Sequence, residues 1–182
     1  MLVFLSCARN NDFFLNAAEE AKQLVEERIR PHIELFHPPS VGITGTNSVV
    51  GNVARILFAD LTLIDITPER DHDGNFVYNA GVMIEFGMIF GQDLRFSASI
   101  GGGSYLSVEK PNFKVFSNNA ISRRDLTPIF NNTDIHPYKP NEEGKKELIK
   151  LMFDSITDAI GKKIDRQPII PNIQYPFSLN PM

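Results

Sequence analysis

The stretch Ala59-Asp-Leu-Thr-Leu-Ile-Asp-Ile-Thr67 decides the fold, because it is the strongest strand signal in the chain. Apolar and β-branched residues follow one another along it, which is typical of a strand that is buried on both faces, and Pro68 ends it. Strands of this kind occur in parallel sheets that are covered by helices on both sides. The sequence around this strand is therefore expected to supply those helices.

Strand and helix patterns alternate on either side of this stretch. The predicted helices are amphipathic at 12–30, nearly all apolar at 75–91 and amphipathic at 141–161. A further predicted helix is capped by Thr46 or Asn47 and has an apolar side formed by Val49, Val50, Val53, Ile56 and Leu57. The other predicted strands are Leu2 to Ser6, Ile33 to Phe36, Leu94 to Ile100, Phe113 to Phe116 and Ile135 to Tyr138. The alternation predicts an α/β fold of the flavodoxin-like (Rossmann-like) class, with a parallel sheet and helices on both faces.

The length of 182 residues predicts one domain, over residues 1–164, followed by a tail over residues 165–182. The tail is apolar and rich in proline, so we expect it to lie across a neighbouring surface. In doubly wound sheets, ligands bind outside the carboxyl ends of the strands where the strand order reverses. The loops after Ser6, Phe36 and Ile66 are therefore the expected positions of a site.

Composition and charge exclude several classes of function. The chain has 18 Lys and Arg against 22 Asp and Glu, a net charge of −4, so it has no basic field for duplex nucleic acid. No apolar run reaches the ~18 residues of a membrane span, and no signal peptide is recognisable. A single cysteine, Cys7, excludes an internal disulfide. These features predict a cytoplasmic protein without a membrane partner, and no metal site is expected.

Glu85 is the only acidic or basic residue between Gly74 and Gln92, in a segment that is otherwise apolar. A buried carboxylate without a partner would cost several kcal/mol, so Glu85 is expected to face a polar cleft or a partner. In a cleft it would serve as a general acid or base, or as a nucleophile towards a sugar carbon. The alternative is a structural role, in which Glu85 pairs with Arg9 or Arg55 or accepts backbone amides.

Three further residues are candidates for the same site. Asp65 ends the central strand, where it would either hold ribose hydroxyls or organise the turn at Thr67. Asn79 precedes Glu85 by six residues and would either contact substrate or begin the helix. Gly81 would allow close approach of a ligand or of a packed element.

Residues of the first two loops complete the predicted substrate-binding set. Ser6, Arg9 and His37 are expected to line the base or phosphate end of the ligand. Cys7 lies near the same edge, but no histidine base can be assigned to it, so it is interpreted as a small buried residue.

Three segments together resemble the nucleoside 2-deoxyribosyltransferase superfamily over roughly residues 1–160. In that family a glutamate attacks the anomeric carbon, and neighbouring acids hold the sugar hydroxyls and the base. Glu85, Asp65 and Asn79 occupy those positions, with Asn79 where the family has an acid and Val82 where it has a threonine. The segments are Val3-Phe-Leu-Ser-Cys-Ala-Arg9, Ala59 to Thr67, and Asn79-Ala-Gly-Val-Met-Ile-Glu-Phe-Gly87.

The opening Val-Phe-Leu-Ser and the amphipathic helix after it are also similar to TIR and TIR-like domains. Many of these domains cleave NAD with a glutamate, and Glu85 is again the matching position. Both resemblances imply an enzyme that acts on an N-glycosidic bond, with Glu85 as the nucleophile and Asp65 as its catalytic partner. The alternatives are a TIR-like NAD glycohydrolase and a non-catalytic module that binds a nucleotide or signals.

The expected partner is a small molecule, namely a nucleoside, a nucleotide or NAD. No cofactor is expected, since NAD would serve as a substrate. Assembly into a homodimer or a higher homo-oligomer is also expected.

Overall fold

The computed structural model describes residues 1–8, 10–37, 55–102, 112–118 and 134–165, and of residues 92–102 and 164–165 it describes the backbone alone. Its strands are β1 (Leu2–Ser6), β2 (Glu34–Phe36), β3 (Leu61–Asp65), β4 (Glu69–Arg70), β5 (Phe76–Val77), β6 (Phe113–Asn118) and β7 (Ile135–Tyr138). Its helices are α1 (Asp12–Ile29), α2 (Ala80–Gly102) and α3 (Glu142–Asp165), and residues 55–58 form a further helical turn.

Five strands form one parallel sheet in the order β2-β1-β3-β6-β7. This order is that of the flavodoxin-like doubly wound fold, and it reverses between β1 and β3. The predicted fold class is therefore confirmed. β3 lies in the middle and is buried along its whole length, as its unbroken apolar run indicates. β4 and β5 form a separate antiparallel hairpin.

Helices cover both faces of the sheet, and each face has its own core. Successive side chains of a strand point to opposite faces, so neighbouring residues of β1 and β3 belong to different cores. One core lies under α1 and α3 and includes Leu5, Phe14, Leu63, Phe116 and Met152. The other lies under α2 and includes Phe4, Ile64, Val82, Phe86 and Ile89.

Three predicted elements differ from the structure. The apolar helix, predicted at 75–91, begins at Ala80 and continues to Gly102, and the predicted strand at 94–100 is part of it. The segment after Pro68, interpreted as a loop, contains the β4–β5 hairpin. Residues 166–182 lie outside the described residues, so the tail stays a prediction.

The helices in the described part of the chain include none with the length and apolar character that a membrane-spanning helix needs.

Gly144 marks a close approach at the start of α3. Its amide donates to the side chain of Asn141, and a Cβ at this position would overlap the carbonyl oxygen of Lys139. We expect Gly144→Ala to lower the free energy of unfolding by about 1–3 kcal/mol, the usual cost of overpacking. Gly161→Ala is the control, because nothing lies within 4 Å of a Cβ there, and it should stabilise the helix by up to about 1 kcal/mol. Urea denaturation checks both, and equal effects of the two variants would contradict the close approach.

Candidate functional site

A cavity of about 190 Å³ opens at the carboxyl edge of the sheet. The loop after β1, the segment after β3 and the ends of β6 and β7 surround it. Carboxyl ends of parallel strands are where doubly wound folds bind ligands, so this cavity is the candidate site. Its lining residues are Ala8, Asn10, Asn11, Phe13, Thr67, Glu69, Asn118, Tyr138 and Pro140.

Asp65 lies beneath this cavity and is only 2% exposed. One carboxylate oxygen, Oδ1, accepts from the backbone amide of Thr67 at 3.1 Å and from its hydroxyl at 2.6 Å. The other, Oδ2, accepts from the hydroxyl of Tyr138 at 3.1 Å and from the side-chain amide of Asn11. We call Asn11, Thr67 and Tyr138 the polar wall. Asp65 thus accepts four hydrogen bonds from three cavity-lining residues, three of them from side chains.

Burial raises the pKa of Asp65 from 3.8 to about 6, although its hydrogen bonds with Thr67, Tyr138 and Asn11 oppose that rise. The carboxyl group is therefore ionised at neutral pH. Burial and the charge of Asp65 likewise raise the pKa of Tyr138 above its usual range, so its hydroxyl keeps its proton. An ionised Asp65 accepts hydrogen bonds only, so Asn11, Thr67 and Tyr138 are the donors in their bonds with it.

Backbone structure positions each member of the polar wall. Asn11 is the N-cap of α1, and its side-chain oxygen accepts from the amide of Phe14 at 3.1 Å. The hydroxyl of Thr67 accepts from the amide of Asn118 at 2.8 Å, which joins the segment after β3 to the end of β6. Tyr138 is the last residue of β7 and is buried. The polar wall is therefore tied to α1, β3, β6 and β7 together.

An aromatic pair forms the apolar part of the lining. The rings of Phe13 and Tyr138 are stacked, with centroids 5.7 Å apart and planes 9° apart. Both rings line the cavity, next to the polar wall. The cavity thus combines an apolar surface with a few oriented polar atoms, which is typical of small-molecule sites.

Glu85 lies on the other side of the sheet. It accepts from the hydroxyl of Ser6 at 2.6 Å, and Ser6 shares its face with Phe4 under α2. Asp65 points to the opposite face, with Leu63 and α1. Burial raises the pKa of Glu85 above its usual range, and the bond from Ser6 opposes that rise. Glu85 therefore has a partner within the fold and is not among the described residues that line the cavity.

Asn79 begins α2. Its side-chain oxygen accepts from the amide of Gly81 at 3.0 Å and from the amide of Val82 at 3.3 Å. Asn79 is thus an N-cap, the second of the two roles considered for it. Gly81 is exposed in the first turn of the helix. The structure therefore does not bring Asn79 and Gly81 into the cavity.

The remaining residues considered for the site either lie near the carboxyl edge of the sheet or are not among the residues that the structure describes. Cys7 is buried as expected, and burial together with Asp65 and Glu85 raises the pKa of its thiol. His37 follows β2, and burial lowers its pKa, opposed by a hydrogen bond with the backbone of Cys7. Arg9 lies outside the described residues.

Sequence reasoning missed most of the lining. The sequence gives Asn11 only a turn and N-cap signal, between the first predicted strand and the first predicted helix, and it gives Thr67 only a place in the turn that Asp65 organises. Tyr138 carried no signal beyond ending a predicted strand, and it lies 73 residues from Asp65. The usable signal is a polar residue at or within two residues of the end of a strand, which holds for Thr67 and Asn118.

No protein-family model and no curated protein matches this chain. Solved structures similar to it include a flavodoxin-like domain from Synechococcus, with TM-score 0.46, 12% identity, and coverage of 91% of this chain and 99% of that one. A diflavin flavoprotein A3 from Nostoc has TM-score 0.47 and 12% identity, with 91% and 97% coverage. A flavone reductase has TM-score 0.47 and 14% identity, with 91% and 64% coverage. At these identities the likeness concerns the fold alone.

These findings correct the sequence-based interpretation. The similar structures are flavodoxin-like and flavoprotein domains, so the resemblance to nucleoside 2-deoxyribosyltransferases and TIR domains is wrong. The predicted N-glycosidic activity is wrong for the same reason, and so are its alternatives, a TIR-like NAD glycohydrolase and a non-catalytic module that binds a nucleotide or signals. The expectation of no cofactor is wrong as well. The physical reason is that a strand ending in Asp, followed by an Asn-capped apolar helix, belongs to the scaffold, and a scaffold does not determine a reaction. The separation of Glu85 from Asp65 by the sheet agrees with this correction.

Proposed function

We propose that this chain is a flavin-binding domain and that the cavity beside the polar wall receives part of the flavin. The observation that carries the proposal is the polar wall itself, held by buried Asp65 at the edge where the strand order reverses. Flavodoxin has this strand order and holds its flavin at that edge, so the proposal is an analogy at the level of the fold.

The residues of the cavity fit the hydroxylated side chain of a flavin. A flavin carries a ribityl chain with several hydroxyl groups, and the polar wall offers oxygen atoms to such groups. The volume of about 190 Å³ is smaller than the ~300–1,000 Å³ that encloses a drug-sized ligand, so it accommodates a part of the molecule. Phe13 and Tyr138 supply apolar surface beside it.

A bound flavin would supply redox chemistry, and the protein would supply binding and orientation. Asn11, Thr67 and Tyr138 would hold the ligand, and Asp65 would keep these three side chains in place. That the chain is an enzyme stays a prediction, as do its assembly into oligomers and its cytoplasmic location.

The experiment is a titration of riboflavin with the full chain, followed by the fluorescence anisotropy of the flavin. We expect a saturable rise. Tyr138→Phe removes one hydroxyl of the polar wall and should weaken binding about fivefold, the ~1 kcal/mol of one hydrogen bond. Tyr78→Phe is the control, because Tyr78 is not among the described residues that line the cavity. An anisotropy that does not saturate, or equal affinities of the two variants, would contradict the proposal.

A further inference from the structure

Three of the five large apolar side chains that the described residues expose lie at the amino edge of the sheet. Leu57 and Phe58 come just before β3, and Phe58 is 79% exposed. Ile29 ends α1, which runs back to the amino edge because it connects the parallel strands β1 and β2. We call Ile29, Leu57 and Phe58 the amino-edge patch. A group of exposed apolar side chains on one edge, unlike a single one, marks a surface that something else covers.

The last helix brings the chain to this patch. The ammonium group of Lys163, near the end of α3, donates to the carboxylate of Asp60 at 2.9 Å. Asp60 is two residues from Phe58, which is at most about 7 Å along the backbone. Four residue steps beyond Asp165 span up to about 14 Å, so Ile169 can extend from the end of α3 as far as Phe58.

The residues that follow α3 have the composition of a segment that packs against a surface. Residues 167–182 carry no charged side chain, whereas segments that stay in solvent are typically rich in charge and poor in apolar residues. Four prolines remove amide donors, which favours lying across side chains over pairing in a sheet. Burial of apolar side chains is favourable in proportion to their area. Those of this segment are Ile169, Ile170, Ile173, Tyr175, Phe177, Leu179 and Met182.

From these observations we infer that residues 166–182 pack against the amino-edge patch of their own chain and that Ile169 and Ile170 cover Phe58. The short connection from α3 holds the segment beside the patch at an effective concentration in about the millimolar range. A second copy, or another protein, would have to reach a comparable concentration to displace it. The contact lies at the edge of the sheet opposite the cavity, so it is independent of the proposed flavin site.

The test uses tryptophan fluorescence, because the chain has no tryptophan of its own and Phe58→Trp introduces a single indole. We expect this indole to emit at short wavelength and to be protected from acrylamide quenching in the full chain. Ile169→Ser together with Ile170→Ser, the serine variant, should shift the emission to longer wavelength and increase the quenching. Ile84→Trp is the control, since Ile84 is 61% exposed on α2, outside the patch, and its indole should respond equally in both backgrounds.

A second measurement uses urea denaturation of the full chain. Residues in contact couple, so the effects of Phe58→Ala and of the serine variant should fail to multiply by at least about twofold in the unfolding equilibrium constant. Ile84→Ala combined with the serine variant is the control, and there the two effects should be independent.

The inference is overturned if acrylamide reaches the indole of Phe58→Trp as easily with the native isoleucines as in the serine variant. Independent effects of Phe58→Ala and the serine variant would overturn the contact between Phe58 and the two isoleucines. Protection that appears only as the protein concentration rises would also overturn the inference, and it would assign the patch to a second copy of the chain.

Discussion

Between about pH 3 and about pH 7, the wild-type protein is expected to lose about 3 kcal/mol of unfolding free energy relative to Asp65→Asn. The pKa of Asp65 rises from 3.8 in the unfolded chain to about 6 in the fold, because the carboxyl group is buried. The folded state thus binds this proton more tightly than the unfolded state, so stability falls as the pH rises through this range. At about 1.4 kcal/mol for each pKa unit, the difference amounts to about 3 kcal/mol.

Urea denaturation at several pH values measures this effect as the difference between the two proteins. The difference removes the contributions of the other carboxyl groups, which both proteins share. Asp154→Asn, an exposed position on α3, is the matched control for the effect of the substitution itself. If the Asp65→Asn difference did not change with pH, Asp65 would not be the buried acid that organises the polar wall.

Phe14→Ala is expected to have the largest effect on stability, a loss of about 3–5 kcal/mol. The Phe14 side chain is fully buried, and its ring meets Phe116 edge to face with centroids 5.6 Å apart. Its truncation leaves a cavity between α1 and β6 that the surrounding core fills only in part.

Phe13→Ala is the matched comparison, since it removes the same ring from the adjacent position. Phe13 is partly exposed and lines the cavity, so this variant should lose less stability than Phe14→Ala. Thermal or urea denaturation followed by circular dichroism measures both. A loss of less than about 1 kcal/mol in Phe14→Ala would show that this core does not depend on the ring.

The sequence predicts the sheet well because long apolar runs and amphipathic periodicity are strong signals. β3 and α1 fall where the patterns place them, and α3 begins one residue after the predicted start at Asn141. The error in α2 arises from Gly91, since an interior glycine costs a helix only about 1 kcal/mol and a helix with enough other support continues through it. The β4–β5 hairpin has two residues in each strand, too few for any alternation to show.

The candidate cavity lies at the edge where the sequence places a site, and the site itself stays a prediction. The rule that ligands bind at carboxyl ends directs attention to Asp65, because Asp65 ends β3. Its partners Asn11 and Tyr138 are 54 and 73 residues away, and only the topology brings them together. Glu85 misled the interpretation because a carboxylate in an apolar helix suggests a cleft, whereas here the hydroxyl of Ser6 satisfies it.

The most direct test of the proposed flavin site is to locate the bound flavin on the protein. Two-dimensional amide NMR of the full chain, recorded during a riboflavin titration, reports that position residue by residue. The account predicts the largest shift changes at the amides of Thr67 and Asn118, which donate to Asp65 and to the Thr67 hydroxyl, and at the start of α1. Changes concentrated instead around Ser6 and Glu85 under α2, or at the amino ends of the strands, would contradict it.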